Sequence, residues 1–404
     1  MTKPSAIPAR FLWVCWIFFQ LLLISCTKTG NSDQPVPPIT PGPPASRPVD
    51  SADMIYIGGR LNDLYAIKAN TGQIVWKRNI PGTYGMPPVY TQGIIAMRGY
   101  DGYMTAFDTA GNKLWSIPPM GGDPGPSEFV PVADNGIIYS QDYYKIYAIH
   151  ATDGSIKWSY DKHDFQGNGS AGLVVQGNGV FTTDRAGDYI GLDINTGAEL
   201  WKTYTNITAW DLVVQNGLVY AIGGNGSDGN FKMLDAKTGG IKYAAVHPNG
   251  YTFNIGYGKI YHVDGSVYDT ASQASPLMVN PIVQVPLLPF GSSYPILADS
   301  MVILTTGIFD AISGQLVCYP LNVDVGVYLS GASYVGGVLF YSGGQREVYD
   351  PWTGGHWYSD VYAYDVRGNK LIWRTEAENA DLVETEPVVV TKSGAVYKGI
   401  RVTR

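Results

Sequence analysis

The stretch Leu64-Tyr65-Ala66-Ile67-Lys68-Ala69-Asn70-Thr71-Gly72-Gln73-Ile74-Val75-Trp76 ends in a phrase that returns along the chain: a glycine followed four residues later by an aromatic. Copies run from Ala110-Gly111 to Trp115, Asp153-Gly154 to Trp158 and Thr196-Gly197 to Trp201. Weaker ones run from Thr238-Gly239 to Tyr243 and from Ser313-Gly314 to Cys318, and the last, Arg367-Gly368 to Trp373, reads as carrying one extra residue. The glycines are spaced by 39, 43, 43, 42, 75 and 54 residues. A period near 40 marks stacked supersecondary units rather than unrelated domains.

Within each unit, apolar runs alternate with turn residues, as in Gly136-Ile137-Ile138-Tyr139 followed by Ile146-Tyr147-Ala148-Ile149 and then the glycine-to-Trp strand. This predicts a four-stranded antiparallel meander. An Asp three or four residues before the glycine (Asp108, Asp193, Asp235, Asp310, Asp365) can accept hydrogen bonds from the turn backbone, while the glycine tolerates positive φ. The aromatics Trp76, Trp115, Trp158, Trp201, Tyr243 and Trp373 are expected on outer strands, filling the wedge between neighbouring sheets.

A lone four-stranded sheet exposes two apolar faces, and radial packing around an axis buries both. The expected fold is an all-β propeller. The spacing of 75 hides a worn unit, placed at Tyr251 to Pro281 with 259–263 and 267–269 as its middle strands, which makes eight blades, with seven as the alternative count. The first unit lacks an innermost strand and Pro387-Val388-Val389-Val390 supplies one, so the chain ends should pair and leave no open edge. The run Ala395 to Val402 fits this scheme less well, because it duplicates a strand that the N-terminal segment already supplies.

Composition excludes other classes. With 49 Gly, 29 Tyr and 15% charged residues, the chain is turn-rich and aromatic, without helical periodicity beyond its start. A formal charge of -7 and the absence of dense Lys/Arg clusters argue against nucleic acid as a partner.

Lys3 and Arg10 precede the apolar stretch Phe11 to Ile24, too short to span a bilayer comfortably, which is the layout of an export signal. The stretch ends Leu23-Ile24-Ser25-Cys26, which resembles the lipobox of bacterial lipoproteins, and this resemblance implies cleavage before Cys26 and lipidation of its thiol. Thr27 in place of Asp implies, on the same resemblance, the outer membrane. Seven prolines between Pro35 and Pro48 make a semi-rigid spacer, at about 3.1 Å per residue in polyproline geometry. The expected organisation is therefore a signal peptide over 1–25, a lipidated linker over 26–52 and one propeller over 53–404. Of the three cysteines, Cys15 leaves with the leader, so Cys318 has no intramolecular partner and reads as a small buried residue in a Trp position.

The phrase Leu-Tyr-Ala-Ile-x-x-x-Thr-Gly-x-x-x-Trp, complete at Leu64 to Trp76, resembles the PQQ-type, quinoprotein-like propeller repeat, and the resemblance covers nearly all of Met54 to Arg404. Lipobox, length and blade count are most similar to the BamB lipoproteins of the outer-membrane β-barrel assembly machine. That resemblance implies a non-enzymatic scaffold in outer-membrane protein assembly, with the assembly machinery as partner and the membrane reached through the lipid. The propeller is expected to be monomeric. PQQ dehydrogenases carry a Cys-Cys disulfide beside the cofactor and a Ca²⁺ site. This chain has no Cys-Cys pair, and no quinone cofactor is expected.

No catalytic or metal motif emerges elsewhere. His150, His163, His247, His262 and His356 are scattered, and the Gly-x-Gly-x-x-Gly matches at Gly167 and Gly224 precede strands, not helices. Two segments depart from the repeat. The insertion Arg346 to Ser359 brings Trp352, Trp357 and Tyr358 beside Arg346, residue types suited to a protein interface or to stacking on sugars. The segment Glu376 to Glu386 is acidic. The alternatives to the scaffold are therefore a glycan- or small-ligand-binding propeller using the aromatic insertion, and a PQQ-dependent oxidoreductase.

Overall fold

The computed structural model describes residues 49–398, apart from 60–62, 81–85, 100–101, 121–129, 143, 163–171, 185, 225–230, 246–252, 263–266, 270–294, 305–306, 319–330, 351–353 and 376–386; for 208, 210, 245, 269, 318, 331, 343–350, 354–359, 397 and 398 the backbone alone is described. The expected export signal, Cys26 and the Pro-rich linker lie outside the described residues.

Eight antiparallel sheets form the blades of a propeller. The strands that line up around the axis, the first of each four-stranded blade, are Val388–Val390 (blade 1), Val89–Thr91 (blade 2), Val132–Asp134 (blade 3), Val174–Gln176 (blade 4), Thr208–Gln215 (blade 5), Phe253–Gly256 (blade 6), Ile296–Ala298 (blade 7) and Gly331–Val335 (blade 8). Each touches the next in order around the axis, and blade 8 meets blade 1 to close the ring. Eight is thus the blade count, and the alternative of seven falls. The worn unit is blade 6, with described strands Phe253–Gly256, Lys259–His262 and Val267–Asp269.

The ring closes as the sequence anticipates. Val388, Val389 and Val390 pair with Tyr56, Ile55 and Met54, so the last blade-forming strand completes the first blade. The trailing residues also have a place: Val396–Lys398 turns back and pairs with Val388–Val390 as a fifth strand, on the axial side of blade 1.

The core is a set of seams rather than one central mass. Each cluster of buried side chains joins two neighbouring blades, as when Phe181, Tyr189 and Trp201 of blade 4 meet Leu212, Val219 and Leu234 of blade 5. The closing seam is built alike, from Val338 and Phe340 of blade 8 with Ile55, Tyr65 and Val389 of blade 1.

The repeat phrase makes these seams. Opposite each Trp on the adjacent strand stands a small residue: Ala66 for Trp76, Ala106 for Trp115, Ala148 for Trp158, Gly191 for Trp201 and Ala363 for Trp373. A bulge beside each of these pairs shifts the register. The indole then donates its N–H to the next blade: Trp76 to Thr109 O (3.0 Å), Trp115 to Ala151 O (2.7 Å), Trp158 to Ile194 O (3.0 Å), Trp201 to Ala236 O (2.9 Å) and Trp373 across the closure to Ala69 O (2.9 Å). In most blades the accepting residue's own N–H bonds the inner turn of its blade, as Ala151 does to Gly136 O and Ile194 to Asn178 O. One residue thereby ties two blades together.

The glycine serves the same contact. Gly154 sits at φ +75°, and a Cβ there would lie 2.9 Å from Cδ2 of Trp115 in the preceding blade. Positive φ and indole contact both demand the absence of a side chain. In blade 8 the structure corrects the reading of an extra residue: Asn369, at φ +47°, takes the left-handed position, four residues before Trp373 as elsewhere. Asn is the residue that best replaces glycine there, and the Tyr364 hydroxyl donates to its side chain. Blade 6 has no described outer strand, yet the Tyr261 hydroxyl reaches Ala311 O of blade 7 at 2.8 Å, the carbonyl equivalent to those the indoles bind.

These contacts separate backbone strain from seam packing. Gly177→Ala, at φ +58° with nothing within 4 Å of the new methyl, should cost about 1 kcal/mol. Gly154→Ala adds a clash with Trp115 and should cost about 3 kcal/mol. Urea unfolding midpoints of the two variants check the order.

Candidate functional site

The two rims of the propeller differ. On one, the inner strands of blades 2, 3, 5, 6, 7 and 8 turn into their neighbours through two residues at positive φ, such as Gln92-Gly93 (48° and 83°), Asn135-Gly136 (46° and 80°), Asn216-Gly217 (52° and 74°) and Tyr257-Gly258 (51° and 73°). This is the type I′ hairpin, whose twist matches that of the flanking strands. These turns encircle a cavity of about 880 Å³ at the mouth of the central channel.

The lining of the cavity is uneven. The last residues of the inner strands of blades 2 to 5 are Thr91, Asp134, Gln176 and Gln215, whereas the equivalents in blades 6 to 8 are Gly256, Ala298 and Val335. Thr91, Asp134, Gln176 and Gln215 thus form a polar arc at the strand ends, while the lining from blades 6 to 8 mixes the small and apolar Gly256, Ala298, Ile296 and Leu297 with the polar Asn254, Asp299 and Tyr334. Leu297 occupies the space a Cβ on Gly256 would need, at 2.7 Å. Gly394, Ala395 and Val396, leading into the fifth strand of blade 1, complete the lining.

Charge is sparse there, and no Lys, Arg or His lines the cavity among the described residues. Asp134 accepts from Asn135 Nδ2 (2.9 Å), and Asp299 accepts from the Tyr334 hydroxyl (2.8 Å) with Arg367 at 3.9 Å. The Tyr334 hydroxyl is held protonated well above its usual range, by burial first and by the Asp299 bond second. Farther out on this rim, Asp193 accepts from Asn195 N, Thr196 N and the Thr196 hydroxyl, and Asp235 accepts likewise from Lys237 and Thr238. The Thr196 hydroxyl and then its N–H hold the Asp193 carboxyl below the ordinary carboxylate range.

The opposite rim carries the longer connections. Here the middle strands of blade 8, Val338–Asp350 and Gly354–Asp365, run on past their neighbours as a hairpin. Arg346 pairs with Tyr358 and Glu347 with Trp357, after a bulge between Gly343 and Arg346. The aromatic insertion is thus an extension of the blade, while Trp352 and the side chains of Arg346, Trp357 and Tyr358 lie outside the described residues. The root of the hairpin is braced: Asp360 accepts from Arg374 Nε at 2.6 Å, the guanidinium lies 5.8 Å over Tyr362, and Tyr362 stacks on Tyr341 at 4.9 Å. The acidic segment Glu376 to Glu386 lies outside the described residues.

Of the other sequence candidates, Trp76, Trp115, Trp158, Trp201 and Trp373 are seam residues, and Tyr243 packs in the seam between blades 5 and 6. Cys318 pairs with Ile308 on the outer strand of blade 7. His262 is fully buried between the rings of Phe253 and Tyr268. Among the described residues no three His, Cys, Asp or Glu converge on a metal position. Sequence reading missed the arc of Thr91, Asp134, Gln176 and Gln215. Its signal was the polar residue ahead of the two-residue turn in consecutive repeats.

A closed ring of eight blades, seamed by a Gly-to-Trp phrase, defines a propeller of the PQQ repeat type. The chain belongs to the family of the outer membrane protein assembly factor BamB, whose model matches residues 30–164, 111–239 and 161–269. It is 28% identical to the BamB of Nitrosomonas eutropha over 162 residues, 38% of either chain. To the BamB of Yersinia pestis it is 24% identical over 221 residues, 53% of this chain and 47% of that one. The chain thus spans about half the length, or less, of the curated relatives it matches. Among solved structures it is similar to the dihydro-heme d1 dehydrogenase NirN in complex with DHE, with a TM-score of 0.61 at 12% identity over 86% of this chain and 79% of that one, a likeness of fold.

The turn carboxylates make stability sensitive to acid. A carboxyl whose pKa is lowered on folding stabilises the native state above its unfolded pKa, and the contribution is lost as pH falls through the folded value. Asp193→Ala should lower the unfolding midpoint at pH 7, and the gap to the parent protein should close below about pH 4. Urea titrations at pH 7 and pH 3 check this.

Proposed function

We propose that this protein is a non-enzymatic, monomeric scaffold in outer-membrane protein assembly, tethered by a lipid on Cys26, with the barrel-assembly machinery as its partner and the propeller on the periplasmic side. The observation that carries this reading is the family match over 30–269, and the relatives are named for outer membrane protein assembly. The lipobox-like Leu23-Ile24-Ser25-Cys26 supports the tether. A rigid ring with short turns on one rim and longer connections on the other suits a platform for protein contacts. The hairpin of blade 8, with its braced root, is the element best placed to meet a partner.

Fold alone does not decide against catalysis, since NirN is named a dehydrogenase. The donor set at the channel mouth speaks against a quinone. PQQ bears several carboxylates and works with a divalent cation, yet among the described residues the cavity offers two carboxylates already engaged by Asn135, Tyr334 and Arg367, and no cationic side chain in its lining. These residues do not fit the group, and the proposed protein works without it.

In-cell crosslinking of the tagged full-length protein tests the scaffold. Recovery of the central barrel-assembly subunit is expected; recovery of glycan-uptake or adhesion components alone would overturn the reading and favour ligand binding. Cys26→Ser should abolish labelling by a palmitate analogue and shift the protein from the membrane to the soluble fraction, which fractionation reads directly.

A further inference from the structure

We propose that the mouth of the central channel binds an extended, non-acidic polypeptide segment, added as a strand to the axial edge of Val396–Lys398. This site is separate from the hairpin and does not depend on the assembly reading.

Three observations carry it. The first is that the channel already admits an extended chain: Val396–Lys398 enters from this rim and pairs with Val388–Val390 as a fifth strand. No strand pairs with its far edge among the described residues, and the sheet order ends there. Such an edge presents backbone N–H and C=O groups that recruit a further strand, the mode known as β-augmentation.

The second is what stands across from that edge. In a ring of eight, blade 1 faces blade 5 and blade 8 faces blade 4, which contribute Gln215 and Gln176 to the polar arc. Each half-buried Gln amide offers both donors and an acceptor, the complement of a peptide backbone whose other edge is paired to Val396–Lys398. The volume of about 880 Å³ lies within the range of ligand cavities.

The third is charge. Asp134 and Asp299 are the carboxylates of the lining, with no Lys, Arg or His among the described lining residues. An anionic ligand such as a phosphate, an acidic peptide or a nucleotide meets repulsion and no counter-charge.

The test uses the full-length protein and a fluorescein-labelled octapeptide of alternating Thr and Val, read by fluorescence polarisation. Saturable binding is expected, at least ten-fold weaker for a counterpart carrying two Glu, and at least ten-fold weaker for the double variant Gln176→Leu with Gln215→Leu. Hydrogen exchange on the unaltered protein gives a second reading that needs no variant: the amides of Val396–Lys398 should slow when the peptide is present. Absence of saturable binding, equal affinity in the double variant, unchanged exchange at 396–398, or displacement of the peptide by maltohexaose would each overturn the proposal.

Discussion

An indole N–H bound to a backbone carbonyl of the neighbouring blade is the contact on which this molecule depends. A four-stranded sheet with two apolar faces cannot exist alone in water, so stability resides in the seams. In each complete seam the Trp of one blade covers the turn of the next, donates to its carbonyl and rests where a glycine side chain would have been. A hydrogen bond alone contributes about 1 kcal/mol. Here it also fixes the angle at which a large aromatic surface is buried, and that angle sets how many blades fit around the axis. Trp373 makes the same contact to Ala69, so the last blade meets the first on the terms of any other pair.

The seams show which parts of the repeat are replaceable. Asn369 does the work of a glycine in blade 8, and the Tyr261 hydroxyl reaches in blade 6 for the carbonyl that elsewhere receives an indole. Both solutions keep the geometry and change the residue. The carbonyl itself, supplied by backbone, does not vary. A worn sequence can therefore hide a well-formed seam.

Closing the ring also divides its two rims. Antiparallel order places the inner turns on one side, where type I′ geometry keeps those of blades 2, 3, 5, 6, 7 and 8 to two residues and leaves a defined mouth. The connections between blades leave from the other side, where length is unconstrained by twist. The hairpin of blade 8 grows there as a continuation of strands already paired, anchored through Asp360, Arg374 and Tyr362.

Much of this was legible in the residues. The Gly-to-Trp period, the Asp-capped turns, the hidden sixth blade and the pairing of 387–390 with 54–58 all follow from local patterns, because turn chemistry and strand alternation are properties of short segments. Other features are set by residues far apart in the chain. The sequence read an extra residue at Gly368, since only the φ of Asn369 shows which residue fills the turn. It fitted Ala395 to Val402 poorly, because a fifth strand is allowed only if the ring is wide enough at its axis. It overlooked Gln176 and Gln215, which are ordinary strand ends until eight inner strands converge. The sequence by itself determined the repeating unit and its closure, through hydrophobic period and turn residues. Only the tertiary structure decided which partner each Trp grips and which side chains meet at the axis, because those contacts join residues roughly a repeat apart or more and exist only once the ring is closed.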